Sequence, residues 1–282
     1  MSAQHVGVVG AGTMGTGVAQ CLAQSGYRVT VVDSDPDALG RASKNLSDAL
    51  RLAILLGRSR GDPQSVLARV HWTDRLDDLA DATFVVECVR ERLGQKEELF
   101  GALDRVLPAA ATIASCTSAI PIDRLASATN RPGDVVGLHF MNPAPLKEAV
   151  EVVRGPRTSE RTLDAALTLV SALGKEGLVV GDGPGFVLNR VLMLCIAEAA
   201  TTLGSGIADA ETIDALFERC LGHAMGPLRT ADLIGLDNVR DTLNVLEELT
   251  GDSGYRVPDS LTALVAAGHL GRKSGEGFHD YG

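Results

Sequence analysis

The chain has 282 residues, 45% hydrophobic, 22% charged and 4% aromatic, enough for one large domain or two ordinary ones with a buried core. That composition excludes a disordered chain or a coiled coil. The formal net charge of −10, with no basic run to offset it, argues against nucleic acid as a partner. The five cysteines (Cys21, Cys88, Cys116, Cys195 and Cys220) show no C-x-x-C spacing, so neither a metal site nor a disulfide framework is indicated. No apolar run approaches the roughly 18 residues a membrane span needs. The N-terminus reads straight into a strand without a signal-peptide charge pattern, so no membrane association and a cytoplasmic location are expected.

In chain order, residues 5–10 (HVGVVG) are a short apolar run that stops at glycine. Residues 16–24 are helix-compatible, and 28–33 (RVTVVD) form a β-branched run ending in an acid. Residues 38–56 and 62–70 read as two helices. Buried strands are predicted at 83–87, 111–115 and 135–139, with helical stretches between them. Late strands follow at 148–154 and 177–180, around a helix at 160–173. Strands alternating with helices predict an α/β fold with a doubly wound, mostly parallel sheet covered on both faces. Past Gly181-Asp-Gly-Pro-Gly185 the pattern changes, and 187–203, 209–220, 230–250 and 260–267 read as helices. The expected division is therefore an α/β domain over 1–183 and a smaller all-helical domain over 184–282.

Gly10-Ala-Gly12-Thr13-Met14-Gly15 directly follows the first strand and opens a helix. In that context Gly10 permits the tight turn, Gly12 lets backbone approach a pyrophosphate, and Gly15 allows close helix–strand packing. The amides of Thr13 and Met14 then open a helix N-terminus toward the anion. Asp33 ends the second strand, where a carboxylate binds ribose hydroxyls and repels a 2′-phosphate, so NAD is expected over NADP. A dinucleotide fold does not name a reaction.

A second constellation does. His139 ends a predicted strand, at the carboxyl edge where doubly wound sheets bind ligands. Imidazole titrates near neutrality and suits proton exchange with a hydroxyl. Glu151, on a neighbouring predicted strand, is placed to fix its tautomer, with Asn142-Pro143-Ala-Pro145 as a stiff turn between them.

The segment Gly137-Leu-His139-Phe-Met-Asn142-Pro143-Ala-Pro145, with Val150-Glu151-Val152-Val153, resembles the signature of the 3-hydroxyacyl-CoA dehydrogenase family. The resemblance extends to the opening GAGTMG with Asp33 and to Val85-Val86-Glu87 through Glu91 and Lys96. It continues through Thr117-Ser118, Asp182-Gly-Pro-Gly-Phe186, Asn189-Arg190, Met225-Gly-Pro227 and Gly235-Leu-Asp237. It closes on residues 271–278, read as a structural turn because the phosphate-loop spacing is absent. What the resemblance implies is NAD-dependent oxidation of a short 3-hydroxyacyl thioester by a His139–Glu151 acid/base pair. Ser118 and Asn189 would lie at the substrate, and Glu91 and Lys96 near the nicotinamide end. It also implies a homodimer formed through the helical domain, where residues 187–197 (VLNRVLMLCIA) are apolar almost all round.

Two departures stand out. The family commonly reads Asn-Thr-Ser-Ser where this chain has Cys116-Thr117-Ser118-Ala119. A nucleophilic Cys116 would need a base partner that is not evident, so a small apolar role is expected. Residues 52–56 (LAILL), followed by Arg58 and Arg60, read either as an ordinary buried helix face or as an apolar surface beside arginines. The latter would receive an acyl carrier protein in place of free CoA, as for a glyceryl unit used to make polyketide extender units. A third reading, from another class, is a non-catalytic NAD-binding sensor or assembly protein.

Overall fold

The computed structural model describes residues 4–55 and 62–282, and the chain divides into two units, Met1–Gly183 and Pro184–Gly282. The first unit runs β1 (His5–Val9), α1 (Thr13–Gln24), β2 (Arg28–Val32), α2 (Pro36–Leu55), α3 (Pro63–Leu67), β3 (Val70–Thr73) and β4 (Phe84–Glu87). It continues with α4 (Leu93–Val106), β5 (Thr112–Ser115), α5 (Ile122–Ala126), β6 (Val135–His139), β7 (Ala149–Arg154), α6 (Glu160–Ala172) and β8 (Glu176–Gly181). One eight-stranded sheet results, in the order β3-β2-β1-β4-β5-β6-β7-β8. The first six of these strands are parallel, β7 is antiparallel to β6, and β8 is parallel to β7. The expected doubly wound, mostly parallel architecture holds, with the last two strands reversed.

The central strands are buried along their whole length, which is why they read as continuous Val- and Ile-rich runs. Val6, Val8, Val31, Val86, Ala114 and Leu138 pack with Val18, Leu22 and Leu46 of the helices in one core. Winding reverses between β1 and β4, so their carboxyl ends leave a crevice at the switch point.

Three expectations need correction. The helix predicted over 62–70 is only α3; Asp62 caps it by accepting from the Gln64 and Ser65 amides, and the chain then turns into β3. This strand is a four-residue edge, paired Val29↔Val70 through Val32↔Thr73, too short for periodicity to announce it. Leu52 and Leu55 do not form a buried helix face: they are 54% and 81% exposed. Leu56, Arg58 and Arg60 of the same reading lie outside the described residues.

The third correction is in the second unit, which comprises α7 (Leu188–Gly204), α8 (Ala210–Leu221), α9 (Pro227–Ile234), α10 (Leu236–Thr250) and α11 (Asp259–Ala266). The single helix predicted over 230–250 is two: Pro227 starts α9 early, and Gly235, at φ +98°, breaks the run. The apolar α7 buries Met193, Ile196, Ala197 and Ala200 but leaves Val191 and Leu194 outward, Val191 at 64% exposure. Among the described residues no helix is long and apolar enough to cross a membrane.

Two buried aspartates organise this unit. Asp214 accepts from the Leu228 and Arg229 amides, both at 2.9 Å, and meets His279 Nε2 at 2.8 Å. Asp232 accepts from the Phe278 amide at 2.9 Å, the His279 amide at 3.0 Å and the Tyr281 hydroxyl at 3.0 Å. A Cβ on Gly277 would lie 2.0 Å from Asp232 Oδ1, so only glycine lets the closing turn reach this carboxylate. The closing motif thus fastens the C-terminus to α8 and α9. Removing Asp232 strands three donors at once, one buried and two partly buried, so Asp232→Ala is expected to cost about 3 kcal/mol of unfolding free energy. Chemical denaturation followed by circular dichroism checks this, and a wild-type midpoint would refute it.

Candidate active site

The crevice begins at the turn after β1. Gly10 adopts φ +105°, and a Cβ on Gly15 would lie 1.8 Å from the Gly10 carbonyl oxygen, so α1 can start this close to β1 only with glycine there. Gly12 faces the other way, where a Cβ would meet nothing within 4 Å. No side chain caps α1, whose first turn carries Thr13 and Met14. Its amides can therefore serve an anion. Asp33, just beyond β2, is fixed by the Ala11 amide at 2.7 Å on one oxygen and the Asp35 amide at 3.0 Å on the other. Each carboxylate oxygen keeps a further acceptor position for a ribose hydroxyl. Gly10, Gly12, Thr13 and Asp33 line a groove of about 790 Å³ together with Arg41 and Cys88. Open backbone at Gly12, an uncapped helix start and a fixed carboxylate are together the features an NAD site needs, and the residues present fit that cofactor.

Beneath this groove lies a charged cluster. Lys96, on the first turn of α4, is 1% exposed, with Nζ 2.7 Å from Glu87 Oε1 and 3.3 Å from Glu91 Oε2. Glu87 also accepts from the Val89 amide at 2.7 Å and from the Ser115 hydroxyl at 2.5 Å. Glu91 Oε1 accepts from the Ser118 amide at 2.9 Å, the Ala119 amide at 3.0 Å and the Thr117 hydroxyl. Burial opposes the charge on both Glu91 and Lys96. It is outweighed for Glu91 by Lys96 and these donors, which lower its pKa, and for Lys96 by the two glutamates, which raise its pKa. The loop carrying Ser118 is thereby folded around one carboxylate.

His139 and Glu151 stand opposite each other in the antiparallel register of β6 and β7. Nδ1 of the buried imidazole is 2.7 Å from Glu151 Oε2. A carboxylate at Nδ1 holds the proton there and makes Nε2 the basic nitrogen. The connection between the strands passes Ala144, which would meet a Cβ on Gly17 of α1 at 3.2 Å, so the histidine's loop packs onto the phosphate-turn helix. Asp182 caps α5 by accepting from the Ile122 amide at 2.8 Å and the Asp123 amide at 2.9 Å. Asn189 is buried on the first turn of α7, in the second unit.

The first unit thus brings Gly10, Gly12, Thr13 and Asp33 to the groove, whereas Met14 packs against the core and Gly15 against Gly10, and it joins Ser118, Glu91 and Lys96 in one network. Within that network, sequence reasoning assigned no role to Glu87, Ser115 or Thr117. Glu87 left a signal, an acid ending the otherwise apolar run of β4; Thr117 stood in the Thr117-Ser118 match without a role, and Ser115 left none.

Residues 5–183 match the family described as 3-hydroxyacyl-CoA dehydrogenase, NAD binding domain, and residues 185–281 its C-terminal domain. The 3-hydroxybutyryl-CoA dehydrogenase of Bradyrhizobium diazoefficiens is 42% identical over 280 residues, covering 99% of this chain and 95% of that one. Human mitochondrial hydroxyacyl-coenzyme A dehydrogenase is 35% identical over 286 residues, covering 99% of this chain and 91% of its own. The crystal structure of (S)-3-hydroxybutyryl-CoA dehydrogenase from Ralstonia eutropha superimposes with a TM-score of 0.91 at 38% identity, covering all of both chains.

The cluster sets a pH window. Glu91, lowered from 4.5, stabilises fully above that value and loses its contribution as pH falls through its folded pKa. Lys96, raised from 10.5, stabilises fully below that value and loses its contribution as pH rises through its folded pKa. Lys96→Met leaves two buried carboxylates uncompensated, so a loss of about 3–5 kcal/mol at neutral pH is expected. Their excess repulsion should also make the variant's stability fall, not rise, as pH climbs through the carboxylate range. Denaturation series from acid to neutral pH check both points; a parallel, unshifted pair of curves would refute them.

Proposed function

The chain belongs to the 3-hydroxyacyl-CoA dehydrogenase family and is an NAD-dependent oxidoreductase, and on that premise we propose that it interconverts a short 3-hydroxyacyl-CoA of the 3-hydroxybutyryl type with its 3-oxo thioester. The observation that carries this reading is the His139–Glu151 pair, 2.7 Å apart at the carboxyl edge of the sheet. Oxidation of a secondary alcohol removes a proton from oxygen and a hydride from carbon. The 10–15 turn and Asp33 would hold NAD, which when bound would supply the hydride acceptor. His139 Nε2 takes the hydroxyl proton, and Glu151 stabilises the resulting imidazolium and keeps the ring oriented. In reduction the same nitrogen returns the proton. Ser118 would hydrogen-bond the 3-oxygen, with Glu91 and Lys96 holding the Ser118 loop; for Asn189 a substrate role rests on the family resemblance.

A carrier-protein thioester is the second reading, favoured by exposed Leu52 and Leu55 on the last turn of α2. Assembly as a homodimer accompanies both readings. Val191 and Leu194 form an outward apolar stripe on α7 that a second copy would cover, twofold symmetry being the commonest closure.

NADH oxidation with acetoacetyl-CoA, compared with a carrier-bound 3-oxoacyl group, tests the substrate; no turnover of either would overturn the proposal. His139→Ala is expected to lower turnover by about 10²–10⁴ while NADH still binds. Glu151→Gln should slow the rate without emptying the cofactor site, as NADH fluorescence titration would show. Asp33→Ala should narrow the preference for NADH over NADPH, since it removes both a ribose acceptor and the repulsion of a 2′-phosphate. Light scattering checks the dimer: a mass that stays near the 29.5 kDa of one chain at every concentration would exclude it.

A further inference from the structure

Two cysteines stand side by side where the winding of the sheet reverses. Cys88 is the first residue past β4, and its amide donates to the Val9 carbonyl of β1 at 2.7 Å. Cys116 is the first residue past β5, and its amide donates to the Glu87 carbonyl at 2.8 Å. Glu87 and Ser115 are directly paired in the parallel register, so the two cysteines occupy the next rung and project from the same face. Neighbouring strands lie about 4.8 Å apart, within the roughly 4.4–6.8 Å between Cα atoms that a disulfide spans. The thiols also sense one another. The Cys116 thiol, followed by burial, pushes the Cys88 thiol well above its ordinary range.

Both cysteines pack against the edge of the core. Both residues are only partly buried, and Cys88 lines the dinucleotide groove. Its Cβ lies 3.4 Å from where a Cβ on Gly15 would stand, directly against the phosphate turn. The other cysteines are placed differently. Burial pushes Cys21 up to about 11 and also raises Cys195, while Cys220 is exposed on α8.

We propose that Cys88 and Cys116 are a modification site, a dithiol that hydroperoxides convert to a reversible intrachain disulfide at the floor of the dinucleotide groove. The two thiols act in turn, Cys116 first. Its thiolate attacks one peroxide oxygen and the O–O bond breaks. Cys116 becomes a sulfenic acid, and the departing oxygen leaves as water or an alcohol after taking a proton. Cys88 then attacks that sulfur, the S–O bond breaks, and the oxygen leaves as water with the proton Cys88 gives up. The two thiols lose two electrons in total and the peroxide gains them. Because Cys88 forms part of the groove wall, bound dinucleotide would cover Cys88 and slow formation of the disulfide. A free thiol excess reverses the bond by exchange.

The test is peptide mapping of the full chain. Purified protein is exposed to hydrogen peroxide, free thiols are alkylated, and the digest is read by mass spectrometry. The expected product is a cross-linked peptide pair joining Cys88 to Cys116, two hydrogens lighter than the separate peptides. Dithiothreitol should abolish it, and saturating NADH should slow its formation. It should be absent from Cys88→Ser and Cys116→Ser, and it should form normally in Cys220→Ser. Should either serine variant fail to fold, the wild-type and Cys220→Ser maps still decide the matter. Full alkylation of both cysteines under conditions that oxidise Cys220 would overturn the proposal. Oxidised Cys116 without a cross-link would also overturn it, and so would a rate unaffected by NADH.

Discussion

A lysine ammonium with 1% exposure survives in a protein interior only if carboxylates neutralise it, and the ends of β4 and β5 are arranged around meeting that demand at Lys96. Glu87 is delivered by the last residue of β4 and Glu91 by the short segment before α4. The two acids in turn need donors. Ser115 and the Val89 amide serve Glu87, while the Thr117 hydroxyl and the Ser118 and Ala119 amides serve Glu91. Ser118 is placed at the end of this chain of obligations. Its position depends on a charge that never reaches solvent, which is a stiffer anchor than a surface loop could supply.

The His139–Glu151 pair follows from a different constraint, strand direction. Six parallel strands need crossovers between them, but β7 returns directly from β6 through a short connection and is therefore antiparallel. Opposed residues of an antiparallel pair share a face, with Cβ atoms about 4.5–5.5 Å apart. The register His139↔Glu151 consequently brings an imidazole and a carboxylate together at the open end of the sheet without any loop excursion. Reversing the sheet at this point both terminates the parallel winding and makes the pair.

Much of this was legible in the sequence because it rests on local chemistry. The 10–15 turn and Asp33 lie close along the chain, and their roles follow from backbone conformation and charge near one strand end. His139 and Glu151 were readable as neighbours because a stiff proline turn separates two apolar runs. Other features left no local trace. β3 is an edge strand that alternates over only four residues, and Val70 continued a plausible helix. Thr230 to Thr250 keeps one apolar period across the break, and only the backbone at Gly235 shows that the helix restarts. Leu52 and Leu55 fit an inward face by composition, yet among the described residues they stand 54% and 81% exposed. The Glu87–Lys96–Glu91 cluster is the clearest case. Its members are recognisable singly as strand-end and helix-start polar residues, but burial converts them from solvated charges into a mutually dependent set.

The same cluster accounts for the departures at Cys116 and Ala119. What Glu91 draws from residue 119 is its backbone amide, so a hydroxyl there is dispensable and a fully buried alanine methyl suits the space better than an unpaired polar atom. The side chain at 116 plays no part in holding Glu91 either; there too the ladder contact is an amide, donated to the Glu87 carbonyl. Thr117, by contrast, is engaged through its hydroxyl, which donates to Glu91 and accepts from the Ile120 amide at 3.0 Å. Changes from the common Asn-Thr-Ser-Ser pattern thus fall at two of the positions where the main chain carries the contact. The position whose side chain is needed to fold the loop is unchanged, so the loop that presents Ser118 can keep its shape while its two flanking side chains change in character.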